Sequence, residues 1–176
     1  MFYQMKKILK ESLPILTVLM IVEIFGGQIL NSQLERFIML PILLMFIPII
    51  NGVCGNIGSI LGARVSSGLH VGYITPDFRG KELRENVIGV LILALLIFCF
   101  IGCLVYVISF SFKLVFIIIG AGLLVTFWVI CLCIPTAIIS FRNGIDPDNV
   151  VIPILTTGAD VLGILCLLLM IKLVGI

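Results

Sequence analysis

Long apolar runs separated by short polar segments make up most of the chain. A helix needs about 20 apolar residues to cross the hydrocarbon core of a bilayer, and five runs meet that length. The pattern therefore predicts an all-α integral membrane protein. Its five transmembrane helices are expected at about residues 13–30, 37–69, 87–109, 114–141 and 150–174. The second run would measure about 50 Å as one helix, so we expect it to be tilted, protruding or broken.

Composition excludes a water-soluble protein. Apolar residues make up 61% of the chain and charged residues 11%, against about 45–50% and about 25% in soluble domains. The length of 176 residues indicates a single domain over residues 1–176. The basic N-terminal residues lead into an apolar run that is long enough to span a membrane. No small-residue cleavage site of a signal peptide follows it. We interpret it as a retained first helix.

The placement of Lys and Arg predicts an orientation in the cell membrane. Cytoplasmic loops carry an excess of these residues. If the N-terminus is cytoplasmic and the C-terminus outside, eight of the 11 lie on the inner side. The inner residues are Lys6, Lys7, Lys10, Arg64, Arg79, Lys81, Arg84 and Arg142, and the outer ones are Arg36, Lys113 and Lys172.

The residue types that most enzymes and zinc sites need are scarce. The six cysteines lie within apolar runs and form no C-x-x-C pair, and His70 is the only histidine. Buried structural roles account for both. An intramembrane enzyme would need several acids, or a nucleophile with a base, near the interface. The sequence therefore predicts a protein that is not an enzyme, with no cofactor and no nucleic-acid partner, surrounded by lipid.

The fifth run carries a polar stripe. At helical spacing, Pro153, Thr156, Thr157, Asp160 and Gly163 share one face. Oxygen ligands without nitrogen or thiolate suit hard cations such as Mg²⁺, which indicates an ion path. A hydrogen-bond network between helices is the alternative. The opposite face is expected to meet lipid and consists of Ile154, Leu155, Val161, Leu162 and Leu165.

Three acids besides Asp160, namely Glu23, Asp146 and Asp148, are candidates for the ion path. Glu23 and Asp160 are the ionisable residues well inside the spans, where a carboxylate costs about 2.5–3.5 kcal/mol on insertion scales. Glu23 either lines the same path as Asp160 or pairs with a polar group on another helix. Asp146 and Asp148 precede the fifth run. Asp148 or Asn149 is a suitable N-cap, and these acids would also attract cations to a cytoplasmic mouth.

The second run contains a cluster of small and polar residues at 51–59. Gly55, Ser59, Gly62 and Ser66 form a small-residue face that permits close approach of another helix. Alternatively, the cluster loosens the helix and frees carbonyl groups to line a cavity.

These segments resemble the MgtE family of magnesium transporters, which includes the MgtE-like solute carriers of eukaryotes and their archaeal relatives. The resemblance rests on residues 55–58 (Gly-Asn-Ile-Gly), on 146–149 (Asp-Pro-Asp-Asn), on Pro153 and on 156–160 (Thr-Thr-Gly-Ala-Asp). Their order and separation agree with the family over nearly the whole chain. Bacterial members carry a large N-terminal sensor region, whereas about eleven residues precede the first run here. That difference favours the archaeal and eukaryotic branch.

The resemblance implies a homodimer with a pore on its two-fold axis, lined by the second and fifth helices. A heterodimer with a paralogous half is a second possibility. Asp160 matches the family's pore aspartate, Thr156 and Thr157 its threonine pair, and Gly55 and Asn56 its glycine–asparagine element. Two Asp160 carboxylates would then hold a hydrated Mg²⁺ ion as the transported substrate. Transport of Mn²⁺, Co²⁺ or Zn²⁺, or an accessory role without activity, are the alternatives.

Overall fold

The computed structural model describes residues 2–76 and 80–175, which form six helices in this part of the chain. Five of them are long and apolar enough to span a membrane, and the sixth, α2, is short. This confirms the predicted all-α fold with five transmembrane helices, while the dimer stays a prediction. The helices are α1 Phe2–Ser32, α2 Leu34–Met39, α3 Pro41–Val71, α4 Lys81–Ser109, α5 Phe112–Arg142 and α6 Pro147–Val174.

The second apolar run is broken near its start. Leu40 has φ −132° and ψ 73°, outside the helical region, and Pro41 begins α3. A residue that precedes proline is disfavoured in helical geometry, which explains the break. Beyond it, α3 continues without interruption through Asn51 and the following glycines. The interpretation that this cluster loosens the helix is therefore wrong.

Polar residues extend two helices beyond their apolar runs. The α4 helix starts at Lys81, which forms an i,i+4 ion pair with Glu85 at 3.8 Å. The α6 helix starts at Pro147, and the side chain of Asp146 accepts a hydrogen bond from the Asp148 amide. Asp146 is therefore the N-cap, and the expectation of a cap at Asp148 or Asn149 is wrong. Proline suits the first helical position because its missing N–H has no partner there.

The α6 helix is the centre of the bundle, since it packs against α1, α3 and α5. The face of α6 that was expected to meet lipid is partly internal. Leu155 is fully buried, and a Cβ added at Gly58 of α3 would lie 3.3 Å from its Cβ. That expectation is therefore wrong at Leu155, whereas Leu165 is exposed. With neighbours on three sides, α6 has little surface left for lipid.

Small residues allow the helices to approach closely. A Cβ at Gly58 would collide with Val129 of α5, and one at Gly62 would lie 2.9 Å from Val151 of α6. Between α4 and α5, Phe98 occupies the space where a Cβ of Gly122 would stand. The small-residue face of α3 is thus used for helix packing, as association of helices in lipid requires.

The α1 helix is attached far more loosely. It touches α6 and α2 alone, and Gly26 is the only buried residue among its described side chains. A Cβ at Gly26 would lie 2.9 Å from Val161 of α6. One close contact point therefore fixes the spacing of α1 against the bundle.

We expect Gly122→Ala to destabilise the protein by about 1–3 kcal/mol, because the added methyl group overpacks the α4–α5 contact at Phe98. Gly89→Ala in α4 is the matched control, since nothing lies within 4 Å of the added atom. It should be neutral or stabilising, because alanine is the better helix former. Thermal unfolding in detergent compares the two variants, and equal melting temperatures would contradict the packing described here.

Candidate cation site

Asp160 lies midway along α6. It follows Pro147 by 13 residues and precedes Val174 by 14, which places it about 20 Å from either helix end. Its side chain is half-buried. A carboxylate at this depth therefore has both protein neighbours and an open side.

Asn51 of α3 holds Asp160 from one side. Its Nδ2 donates a hydrogen bond to the backbone carbonyl of Asp160 at 3.2 Å. The Asn51 residue is 9% exposed. Asn51 is not among the site residues predicted from the sequence, although an amide in the middle of an apolar helix is the signal that could have found it.

Gly163 makes room for the Asn51 amide. A Cβ at Gly163 would collide with the Asn51 Oδ1 atom, so no other residue fits there without a shift of Asn51. This Oδ1 is buried and has no hydrogen-bond partner. An unpaired acceptor thus lies against Gly163, one turn along α6 from Asp160.

Glu23 of α1 approaches from the other side. The Thr157 hydroxyl, which is 4% exposed, donates a hydrogen bond to Glu23 Oε1 at 2.7 Å. Because Thr157 precedes Asp160 by three residues, this bond places the Glu23 carboxylate about one helical turn from Asp160. Glu23 was expected either to line the path of Asp160 or to pair with a polar group on another helix. The pairing is observed, and its partner Thr157 lies one turn from Asp160. The structure therefore brings Glu23, Thr157 and Asp160 together with Asn51.

Gly55, Asn56 and Thr156 form a second, outward group beside the first. Gly55 is buried against α6, where an added Cβ would lie 3.6 Å from the Thr156 Cγ2. Asn56 and Thr156 are both exposed on the surface of the chain. The Thr156 hydroxyl bonds the carbonyls of Ile152 and Pro153 of its own helix. Helices α3 and α6 thus share an exposed polar patch.

Asp146 and Asp148 lie elsewhere. The Asp146 residue is 14 positions before Asp160, about 21 Å along the helix axis. Its carboxylate is 3.7 Å from His70 Nε2, and Asp148 is exposed beside it. Neither acid is part of the mid-membrane group.

The charge of the group is not balanced by a basic side chain. Within the described ranges, neither Glu23 nor Asp160 forms an ion pair with Lys or Arg. Lys172 is the nearest cation along α6 and lies about 18 Å from Asp160. In the same ranges, no three His, Cys, Asp or Glu side chains could together hold a metal ion. A cation here would need amide, hydroxyl or water oxygens besides the two carboxylates.

Comparison with known proteins places the chain. Residues 47–170, which contain Asn51, Gly55, Asn56 and the polar stripe of α6, match the family MgtE, described as divalent cation transporter. This chain belongs to the MgtE family. The MgtE resemblance predicted from the short motifs is thereby confirmed, and so is transport of divalent cations as the family's activity. A family of transporters also favours the prediction that the chain is not an enzyme.

Curated relatives of this MgtE chain are mammalian solute carriers. Solute carrier family 41 member 3 of Rattus norvegicus is 29% identical over 179 residues, covering 89% of this chain and 38% of the relative. Solute carrier family 41 member 2 of Macaca fascicularis is 30% identical over 170 residues, covering 85% and 29%. The chain thus spans about a third of the length of these relatives. No solved structure matches it significantly.

We expect Gly163→Ala to lower the melting temperature of this MgtE protein, because the added methyl group displaces the Asn51 amide from Asp160. Overpacking of this kind costs about 1–3 kcal/mol. Gly158→Ala in the same helix is the control, since its added Cβ would meet only the flexible end of Leu132, at 3.1 Å. Thermal unfolding in detergent measures both. An equal effect of the two substitutions would argue against a tight Asn51–Gly163 contact.

Proposed function

We propose that the chain forms one half of a dimeric path for divalent cations, with hydrated Mg²⁺ as the main substrate and Asp160 as its ligand. Membership in a family of divalent cation transporters supports the general activity. One structural observation supports the location. Polar and small residues are exposed halfway along two apolar membrane helices, α3 and α6.

The contrast between the helix surfaces carries this argument. Between residues 51 and 69, the exposed residues of α3 are Gly52, Asn56, Ala63, Arg64 and Ser67, with Ile60 as the one large apolar side chain, whereas Met45, Ile49 and Val71 are exposed outside this stretch. Beyond its polar first turn, α4 exposes mainly large apolar side chains, namely Ile88, Leu91, Ile92, Leu95, Leu96, Phe100 and Leu104, besides Gly89, Cys99 and Cys103. Lipid cannot satisfy exposed amide and hydroxyl groups. The α3–α6 face is therefore suited to water or to a second protein surface, and the α4 face to lipid.

A second copy of the chain is the simplest cover for the α3–α6 face. Closed two-fold dimers are the commonest oligomers, and they place the same residue of both chains near one axis. Two Asp160 carboxylates would then face each other, and a divalent cation would relieve their repulsion. Because Mg²⁺ loses water reluctantly, the carboxylates and the exposed Asn56 and Thr156 would contact the water shell of the ion. Gly55 would let α3 and α6 approach closely enough to present both side chains.

The cytoplasmic mouth completes the proposal. With the N-terminus inside and the C-terminus outside, the start of α6 lies at the cytoplasmic surface. Asp146 and Asp148 would there raise the local concentration of cations. The relatives are about three times as long as this chain, so a heterodimer with a paralogous half is an alternative to the homodimer.

Two alternatives concern the activity itself. Mn²⁺, Co²⁺ or Zn²⁺ could replace Mg²⁺ as the transported ion, but the group at Asp160 contains only oxygen donors, which favours the harder cation. The second alternative is a membrane subunit without activity of its own. Such a subunit should tolerate neutralisation of Asp160 provided that α6 still packs.

We expect liposomes containing the purified protein to take up Mg²⁺, and Asp160→Asn to abolish this flux by removing the charge that holds the ion. A fluorescent Mg²⁺ indicator inside the liposomes measures the flux. Glu85→Gln is the control, since Glu85 is an exposed residue at the start of α4. Equal oligomer content of all preparations is checked by light scattering. Full flux through Asp160→Asn would refute Asp160 as the ligand, and flux through no variant would refute an Mg²⁺-conducting homodimer.

Thr157→Val should reduce the same Mg²⁺ flux less than Asp160→Asn does, because the carboxylate still attracts the hydrated ion. Thr136→Val is a matched control, since the Thr136 hydroxyl bonds only the Leu132 carbonyl of its own helix. Initial uptake rates at one Mg²⁺ concentration compare the three variants. If Thr157→Val lost all flux while Thr136→Val kept it, the Thr157 hydroxyl would be as necessary for transport as the Asp160 carboxylate.

A further inference from the structure

We propose that each protomer holds a divalent cation of its own between Glu23 of α1 and Asp160 of α6, with the Asn51 carbonyl oxygen as a third partner. The inference rests on the proposed function, because both use Asp160. It goes beyond that function in two respects. It places a cation inside each protomer, in addition to the ion on the two-fold axis, and it makes α1 part of the site.

The first argument is the balance of charge. Thr157 holds the Glu23 carboxylate about one helical turn from Asp160, and no described Lys or Arg pairs with either acid. Ionisable residues at this depth pair with one another or with backbone carbonyls, and they mark the paths of ions and substrates. A divalent cation between two carboxylates supplies the two positive charges that would neutralise them. If Asp160 were the one carboxylate at this depth, a cation on the two-fold axis could neutralise it, and no cation inside the protomer would be needed.

The second argument is independent of the acids. The Asn51 side chain is about nine-tenths buried, yet its Oδ1 has no hydrogen-bond partner. Buried acceptors nearly always have one, so an orphan is a sign of an absent ligand or ligand-bound water. The same amide bonds Asp160 through Nδ2, which keeps Oδ1 within the group. A water molecule bound to the cation could donate its proton to this oxygen.

The third argument is the geometry of α1. The Thr157 hydroxyl fixes the Glu23 carboxylate by a 2.7 Å hydrogen bond, which leaves the second carboxylate oxygen for an ion or its water. Since α1 packs on α6 with a single buried residue, Gly26, apolar packing alone does not account for the position of Glu23. The arrangement thus brings a carboxylate from a loosely packed helix to the acid at the midpoint of α6.

The test is binding of Mn²⁺, used as a paramagnetic probe, to the purified protein in detergent. Electron paramagnetic resonance of free Mn²⁺ gives affinity and stoichiometry. We expect one tight site per chain that Mg²⁺ competes for. Glu23→Gln should weaken binding about tenfold or more, whereas Glu35→Gln, a change of the same kind at an exposed residue of α2, should leave it unchanged. The glutamine can still accept the hydrogen bond from Thr157, so the fold is preserved.

Asn51→Leu removes the carbonyl oxygen at similar volume and should also weaken Mn²⁺ binding. One Mn²⁺ per two chains, or wild-type affinity in Glu23→Gln, would overturn the inference. Asp160→Asn separates this inference from the proposed function. Loss of binding in Asp160→Asn with wild-type affinity in Glu23→Gln rejects the site inside the protomer and leaves the axial ligand in place. Wild-type affinity in both variants rejects both.

Discussion

The structure depends on one constraint, which is that the hydrocarbon core offers no hydrogen-bond partner to any polar group. Helix formation provides hydrogen-bond partners for the backbone, and several hydroxyl groups also find their partner within their own helix. Thr17, Ser59 and Thr136 each bond the carbonyl four residues earlier in their own helix. Glu23 and Asn51 differ, because each is bonded to a group on α6. These two bonds between spans therefore meet around Asp160, whereas Cys54 of α3 bonds Gly122 and Thr126 of α5 elsewhere in the bundle.

Close helix packing makes that convergence possible. The glycines of α3 bring its backbone near α5 and α6, and Gly163 leaves the space that the Asn51 amide fills. Without these small residues the amide could not reach the Asp160 backbone. In lipid, where apolar surfaces gain little by meeting each other, such approach distances and hydrogen bonds determine which helices associate. Packing and site are therefore built from the same residues.

The sequence allowed the class, the number of spans and the family to be predicted, because apolar run length and short motifs are local properties. A break in the second run was one of three alternatives predicted, and its position at Leu40 was not predicted. The burial of Leu155 and the bond between Asn51 and Asp160 could not be foreseen. Both depend on which helices become neighbours, and helical periodicity describes the faces of one helix without naming its partners. Glu23 was recognised as unusual, yet only the fold identifies Thr157 as its partner.

The weak attachment of α1 follows from the same physics. Its polar contacts with α6 include one between Glu11 and Asn149 near the helix end and one between Glu23 and Thr157 at mid-depth. Apolar packing adds the close contact of Gly26 with Val161. Any cation held between Glu23 and Asp160 would add its interaction free energy to this small sum. By linkage, a ligand that binds only the packed arrangement favours that arrangement by the same amount. Binding of the cation and packing of α1 against α6 are then coupled, so that each favours the other.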